Sequence, residues 1–295
     1  MTRRYRFVWV DVFASAPLEG NPLAVFPDAR GLSDTEMQSV ARETCLSETT
    51  FVFPGEEATD RARGFRTRIF AVMGEMPFAG HPTLGTASVL RAERGGDAIA
   101  LLENVGRIPV TFTPRDGRVF GEMVQVDPTV GAVHDTEEVA RALGVDRTEL
   151  SDEAPVQTIS TGNPFAIVPF RRRAVLERLR PDVGRMDDYL GRSDAKFFYL
   201  VTRETRDPSA ALHARMLFAG GEDPATGSAA GPAAAWMVLH GLARPDAPLL
   251  VEQGWEVHRP SRIHARAGLE DGRPVQVRVG GFSVPVIHGE LTLGD

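Results

Sequence analysis

The alternation of hydrophobic and polar positions predicts strands and helices in mixed order. VWVDVF alternates like a half-buried strand, and NPLAVF continues as a second one. SDTEMQSVARETCL has the spacing of an amphipathic helix, and Ser33 with Glu36 forms a capping-box pattern at its beginning. TTFVF and RTRIFAV follow as strands. PTLGTASVLRAER is small or apolar on nearly every side of its first turns, which predicts a buried helix.

The remainder of the chain repeats this order. VQTIST and NPFAIVPF are predicted strands, AVLERLR a helix, and FFYLVT and HARMLF further strands. ATGSAAGPAAAWMVLHG, rich in alanine, closes the series as a second buried helix. The region 128–152 is acidic and contains the amphipathic segment TEEVARALGV. We interpret it as a connection.

Two motifs recur at one spacing. GNPLAV, which begins at Gly20, returns as GNPFAI from Gly162, and the same spacing of 142 residues places GHPTLGTA over EDPATGSA. Single glycines and prolines are common in turns, but two motifs that share one spacing indicate a duplication. A sheet wrapped around one apolar helix in each half would bury both helices. The sequence therefore predicts an α+β fold of two pseudo-symmetric domains, each a curled mixed β-sheet around a central helix.

The motifs also suggest domain boundaries. We predict an N-terminal half over 1–130, completed by a C-terminal strand near 280–295, and a C-terminal half over 153–279. The segment 131–152 would connect them. A length of 295 residues agrees with two domains, at roughly 100 to 200 residues each.

Composition narrows the possible partners. Hydrophobic residues make up 42% and charged residues 25%, as in ordinary globular proteins. Forty acidic residues against 33 basic ones give a net charge of −7, so nucleic acid is not expected as a partner. The basic start is followed by only a short apolar stretch, too short for a signal h-region or a membrane span. Neither membrane association nor secretion is predicted.

Cysteine content bears on the compartment. Cys45 is the single cysteine, which excludes an intramolecular disulfide and a multi-thiol zinc site. A reducing compartment fits, so we expect a cytoplasmic protein. We expect Cys45 itself to be a small core residue.

The two repeated helix starts are candidate binding positions. Unpaired N–H groups and the positive end of the helix dipole favour a carboxylate there, around Thr83 to Gly85 and around Thr226 to Ser228. His81 and Asp223 occupy matched positions in the repeat. A purely structural duplication gives no reason for an imidazole and an acid at these places. We therefore expect a small anionic ligand rather than simple helix caps.

Glu48, in LSETTFVF, is a further candidate, although a carboxylate at a strand edge is usually only solvated. Considered together, several blocks resemble the family of the phenazine biosynthesis isomerase PhzF: VDVF, GNPLAV, LSETTFVFP, FAGHPTLGTA, TGNPF, EDPATGSAAGP, EQG and RPSRI. The resemblance runs from about Phe7 to Leu291. It implies the diaminopimelate epimerase fold, a homodimer, no metal and no organic cofactor.

The resemblance also implies an isomerase. In the family, a glutamate moves a proton between carbons of trans-2,3-dihydro-3-hydroxyanthranilate. By that resemblance Glu48 is a general base and then acid, while His81 and Asp223 orient the substrate and assist proton movement in a cleft between the halves. A carboxylate in a poorly hydrated cleft can both take and return a proton. The expected substrate-binding residues are Gly80, Pro82, Thr83, Gly227 and Ser228.

Two other functions stay open at this point. Epimerases of the same fold use one cysteine from each half, and this chain has neither, so two-thiol racemisation is excluded. An epimerase or racemase of a small amino or hydroxy acid could still use Glu48 with Asp223 or His81. A non-catalytic ligand-binding protein is the third possibility. The physiological substrate, and whether it belongs to a phenazine pathway, do not follow from the sequence.

Overall fold

The computed structural model describes residues 2–218 and 220–294. They form two compact units, which we describe separately. The N-unit comprises the residues up to Val124 together with those from Gly280 onward, and the C-unit comprises Gln125–Val279. The segment 131–152 lies within the C-unit. The domain division predicted from the sequence stays a prediction.

The N-unit is a mixed sheet with three helices. The helices are α1 (Asp34–Thr44), α2 (Glu57–Arg63) and α3 (Gly80–Arg94). The strands are β1 (Arg3–Val12), β2 (Asn21–Phe26), β3 (Glu48–Phe53), β4 (Phe65–Ala71), β5 (Gly74–Met76), β6 (Ala98–Glu103), β7 (Gly106–Arg115), β8 (Arg118–Val124) and β18 (Ser283–Leu293).

The C-unit has the same kinds of element. Its helices are α4 (Thr136–Leu143), α5 (Arg173–Arg178), α6 (Val183–Leu190) and α7 (Gly227–Leu239), with 3₁₀ turns at Arg147–Glu149 and Trp255–Val257. Its strands are β9 (Thr129–Val133), β10 (Gln157–Ser160), β11 (Pro164–Phe170), β12 (Phe197–Thr202), β13 (Leu212–Phe218), β14 (Gly221–Asp223), β15 (Leu249–Gln253), β16 (Ser261–Glu270) and β17 (Arg273–Gly281).

Strand pairing is the same in the two units. In the N-unit, β1 is antiparallel to β2, β2 parallel to β3, β3 antiparallel to β4, β4 parallel to β6, and β6 antiparallel to β7. The C-unit repeats this series of antiparallel and parallel pairs in the same order: β10 with β11, β11 with β12, β12 with β13, β13 with β15, and β15 with β16. The short strands β5 and β14 form matching hairpins with β4 and β13. The α+β prediction is confirmed.

The central helix of the N-unit is buried because small residues let the sheet approach it. α3 contacts strands from across the sheet, including β1, β2, β6 and β8. A Cβ atom on Gly85 would lie 2.7 Å from side-chain atoms of both Leu23 and Val12. Glycine at this position therefore allows β1 and β2 to pack directly on the helix.

In the C-unit, α7 is also the central helix. It contacts β10, β11 and β16, and most of its residues are buried. A Cβ atom on Gly231 would lie 2.0 Å from Oε1 of Gln125. Both buried helices predicted from the sequence are confirmed.

The predicted start of α1 is confirmed, but one expectation at its end is wrong. Ser33 caps the helix and forms the capping box with Glu36. Cys45 is exposed rather than in the core. It ends the helix in the left-handed conformation, with a φ of 53°, so the turn directs its side chain to the surface. In the described residues, no helix has both the length and the apolar character that crossing a membrane requires.

Candidate active site

Glu48 is the first residue of β3, directly after the tight turn that ends α1. The turn is braced by the hydroxyls of Thr44 and Thr49, 2.7 Å apart. Further along β3, Thr50 accepts a hydrogen bond of 2.8 Å from Thr86 of α3. These contacts fix the beginning of β3 against the central helix. The Glu48 side chain is 14% exposed, which leaves it mostly buried at the strand end.

His81 lies beside this carboxylate. It is the second residue of α3 and is buried. Its Nε2 atom is 3.3 Å from Oε2 of Glu48. Within the described residues Nε2 makes no hydrogen bond. Burial lowers the pKa of His81 to about 3, so the imidazole is neutral at physiological pH.

The first turn of α3 is braced by a residue that the sequence analysis did not single out. Glu103, the last residue of β6, is buried, and its Oε1 atom is 2.7 Å from Oγ1 of Thr83. The same Thr83 hydroxyl is 2.7 Å from the carbonyl oxygen of Ala79. Burial raises the pKa of Glu103 to about 7, while the hydrogen bond with Thr83 acts in the opposite direction.

Asp223 occupies the matching turn of the C-unit. It ends β14, and Thr226 follows as the N-cap residue of α7. The Thr226 hydroxyl does not cap the helix. It donates instead to Oδ2 of Asp223 at 2.7 Å. The carboxylate is thereby oriented by the turn on which it lies.

The five residues expected to bind substrate all lie in the first turns of α3 and α7. Gly80, Pro82 and Thr83 are buried, as is Gly227, and Ser228 is half-buried. Both donors of Thr83 are engaged within the N-unit, since its N–H bonds to the carbonyl oxygen of Ala79 at 3.2 Å and its hydroxyl lies 2.7 Å from both Ala79 O and Glu103 Oε1. The binding roles of all five stay predictions.

One group among the described residues has the side chains of a metal site: Glu177, His213 and Glu256. Both ring nitrogens of His213 are already engaged, Nδ1 with Glu252 at 2.9 Å and Nε2 with Glu256 at 3.0 Å. Burial lowers the pKa of His213, but these two carboxylates outweigh burial and raise it overall. Glu177 pairs with Arg173 and Arg206. The cluster is a hydrogen-bonded network in which the carboxylates favour the protonated form of His213.

The repeated mixed sheet around a central helix defines an epimerase-like fold. A probable proline racemase from Agrobacterium radiobacter has this fold: it is 12% identical, with a TM-score of 0.62 over 98% of this chain and 93% of the racemase. A Bacillus anthracis phenazine biosynthesis protein of the PhzF family is 27% identical, with a TM-score of 0.87 over 98% of this chain and 99% of that one.

Sequence comparison gives the family. The PhzC-PhzF profile, described as "Phenazine biosynthesis-like protein", matches residues 10–289. The trans-2,3-dihydro-3-hydroxyanthranilate isomerase of Pseudomonas aeruginosa is 36% identical over 98% of this chain and 100% of its own length. The chain belongs to the PhzF family and is an isomerase. The alternative of a non-catalytic binding protein is thereby set aside.

Proposed function

We propose that the chain moves a proton between two carbons of a small carboxylate substrate, with Glu48 as the base and then the acid, and without an organic cofactor. The observation that supports this most directly is the mostly buried Glu48 carboxylate, 3.3 Å from a buried imidazole at the beginning of α3. A substrate like trans-2,3-dihydro-3-hydroxyanthranilate fits, since the similar isomerase from Pseudomonas aeruginosa is named for that molecule.

The neutral state of His81 supports the assignment of Glu48 as base. A positively charged imidazole at this distance would stabilise the carboxylate and make it a weaker base. Burial prevents that charge, because it lowers the pKa of His81 to about 3. The neutral ring can still form a hydrogen bond with a substrate or with protonated Glu48.

The proposed reaction needs one carboxylate. Glu48 takes a proton from a carbon of the substrate, and the electron pair of the broken C–H bond enters the adjacent diene. The protonated Glu48 then returns the proton to a different carbon, and the double bonds shift. The product is an isomer, and the enzyme returns to its starting state. Delocalisation over the diene makes an organic cofactor unnecessary in this scheme.

Asp223 completes the proposed catalytic set, together with His81. The carboxylate is held by Thr226 and is half-buried, as expected for a group that binds or protonates a substrate. The proposed carboxylate ligands are backbone groups at the start of α3 and α7, where N–H groups lack partners within the helix. The expected homodimer and cytoplasmic location stay predictions.

Glu48→Gln tests the base directly. Turnover of trans-2,3-dihydro-3-hydroxyanthranilate is followed by NMR in D₂O, which identifies the carbon that gains hydrogen. Loss of the ionisable group should lower kcat by roughly 10² to 10⁴-fold, the usual contribution of general base catalysis. Glu93→Gln is the matched control, because Glu93 is a partly buried glutamate near the other end of α3 that pairs with Arg6.

Three outcomes separate the possible functions. Hydrogen at a new carbon with loss of turnover in Glu48→Gln supports the isomerase. Inversion at a single carbon, without a shift of the double bonds, would identify an epimerase. Equal rates for the wild type and Glu48→Gln would contradict the role of Glu48 as base.

A further inference from the structure

Gln253 lies under the turn that carries Asp223. It is the last residue of β15, and its side chain is fully buried. A buried amide is costly unless each of its polar atoms finds a partner. From the sequence, EQG is one block of the family resemblance, and no role follows for Gln253.

Every hydrogen-bonding position of the Gln253 amide is used. Oε1 accepts from the Tyr199 hydroxyl at 3.0 Å and from the backbone N–H of Thr226 at 3.2 Å. Nε2 donates to the carbonyl oxygen of Asp223 at 2.7 Å and to Oγ1 of Thr226 at 2.8 Å. The Thr226 N–H can only donate and the Asp223 carbonyl can only accept, so the orientation of the amide is fixed.

This orientation determines where the Thr226 proton goes. Because Oγ1 of Thr226 accepts from Nε2 of Gln253, its own hydrogen is directed to its other partner, Oδ2 of Asp223, at 2.7 Å. A donor on Oδ2 favours the charged form of the carboxylate. Tyr199 stays a phenol and a donor, because burial and the nearby charge of Asp223 both raise its pKa.

Residues next to Gln253 brace the same turn. Gly254 has a φ of +81°, and a Cβ atom there would lie 2.5 Å from the carbonyl oxygen of Pro224. The Ser261 hydroxyl donates to that same carbonyl at 2.8 Å. The EQG and RPSRI blocks thus converge on the backbone of the DPAT turn. Through these contacts the two blocks support the turn that carries Asp223.

We propose that Gln253 and Thr226 form a hydrogen-bond relay that positions the Asp223 carboxylate and keeps a donor on its Oδ2 atom. Both are positioning residues, since they act through Asp223. Their importance for catalysis rests on the proposed function, in which Asp223 belongs to the catalytic set. The relay itself can be measured without any substrate.

The test is a titration of the Asp223 carboxyl group by NMR, with ¹³C in the aspartate side chains and Asp223→Asn to assign the signal. Thr226→Val removes the donor and keeps the shape, so the titration midpoint should move to higher pH. Thr226→Ser retains a hydroxyl and should leave the midpoint near the wild-type value. Thr158→Val is the matched control, because Thr158 makes an equivalent bond of 2.6 Å to Asp194.

Gln253→Met tests the first link of the relay. A thioether side chain of similar length cannot donate, so Oγ1 of Thr226 loses the donor that directs its own hydrogen to Asp223. The titration midpoint of Asp223 should then move to higher pH, by no more than in Thr226→Val. The double variant should therefore shift the Asp223 titration no further than Thr226→Val alone. Circular dichroism checks that each variant is folded.

Turnover connects the relay to catalysis. Thr226→Val should lower kcat by on the order of 10- to 100-fold, as expected for a misplaced catalytic group, and Thr226→Ser should restore it. An unchanged Asp223 titration in Thr226→Val would overturn the relay. A shifted titration combined with full activity of Asp223→Asn would leave the relay intact and contradict the proposed function instead.

Discussion

The two helix starts have the same architecture and different chemistry. α3 begins after Ala79 and α7 after Thr226, and neither N-cap residue caps its helix with a side chain. In both units the strand that follows the helix ends with a buried polar residue directed at the turn. That residue is Glu103 on β6 and Gln253 on β15. A carboxyl group supports one turn and an amide supports the other.

The amide offers the same donors and acceptors at any pH, whereas the hydrogen bonding of the carboxyl group changes with its protonation state. Thr83 has a single hydroxyl hydrogen, yet Oγ1 is 2.7 Å from both Ala79 O and Glu103 Oε1. The charged carboxylate can only compete with the Ala79 carbonyl oxygen for that one hydrogen, whereas protonated Glu103 can itself donate to Oγ1 of Thr83. Oε2 of Glu103 makes no hydrogen bond within the described residues. The residue that supports the His81 turn therefore titrates, whereas the amide that supports the Asp223 turn does not.

The largest effect expected from this difference is on stability. The pKa of Glu103 rises from 4.5 to about 7 on folding. Between these values the folded protein binds more protons than the unfolded chain, so the free energy of unfolding falls as pH rises. The full loss is about 3 kcal/mol above pH 7. Glu103→Gln is neutral throughout and should lack this loss, as denaturant unfolding at pH 4.5 to 8 would show.

The reciprocal substitution tests the same contrast at the other turn. Gln253→Glu places an ionisable group in the equivalent buried position and should introduce a loss of stability with rising pH. If the free energy of unfolding depended on pH in the same way for the wild type and for Glu103→Gln, Glu103 would be charged in the folded protein. The contrast between the two turns would then disappear.

A smaller effect is expected at the glycine that the repeat places in both helices. Gly85→Ala adds a Cβ atom 2.7 Å from Leu23 and Val12, so β1 and β2 must move. Overpacking costs about 1 to 3 kcal/mol, partly offset by about 1 kcal/mol from the better helix propensity of alanine. Gly74→Ala is the control, because no atom beyond its two chain neighbours lies within 4 Å of its added Cβ. Thermal unfolding of both variants measures the difference, and equal stabilities would show that β1 and β2 accommodate the methyl group.

The sequence predicted the features that have local signals. The repeat, the capping box at Ser33 and the buried helices could be predicted, because each is indicated by short motifs or by a local hydrophobic pattern. Glu48 and His81 were predicted to lie together through a family resemblance, and the N-unit brings them to 3.3 Å. No periodicity would have shown that contact, since it depends on how β3 packs against α3.

The supporting residues had no such signal. AIALLE and LLVEQ are ordinary apolar strands, and only the parallel pairing of β6 with β4, and of β15 with β13, brings their last residues under a helix start. A polar residue that ends an otherwise apolar strand was the available hint. Cys45 was predicted wrongly because its residue type favours the core, whereas its exposure follows from the left-handed turn that ends α1.

The least disruptive test concerns the charge of two buried histidines. His81 has no carboxylate hydrogen bond among the described residues, and burial lowers its pKa to about 3. His213 is equally buried, but bonds to Glu252 and Glu256 raise its pKa. In ¹⁵N NMR between pH 5 and 8, His81 should keep the shifts of a neutral imidazole, whereas His213 should stay protonated to higher pH than an ordinary histidine. His81→Gln and His213→Gln assign the signals. Titration of His81 within this range would place a positive charge beside Glu48. That charge would make the Glu48 carboxylate a weaker base and count against its proposed role.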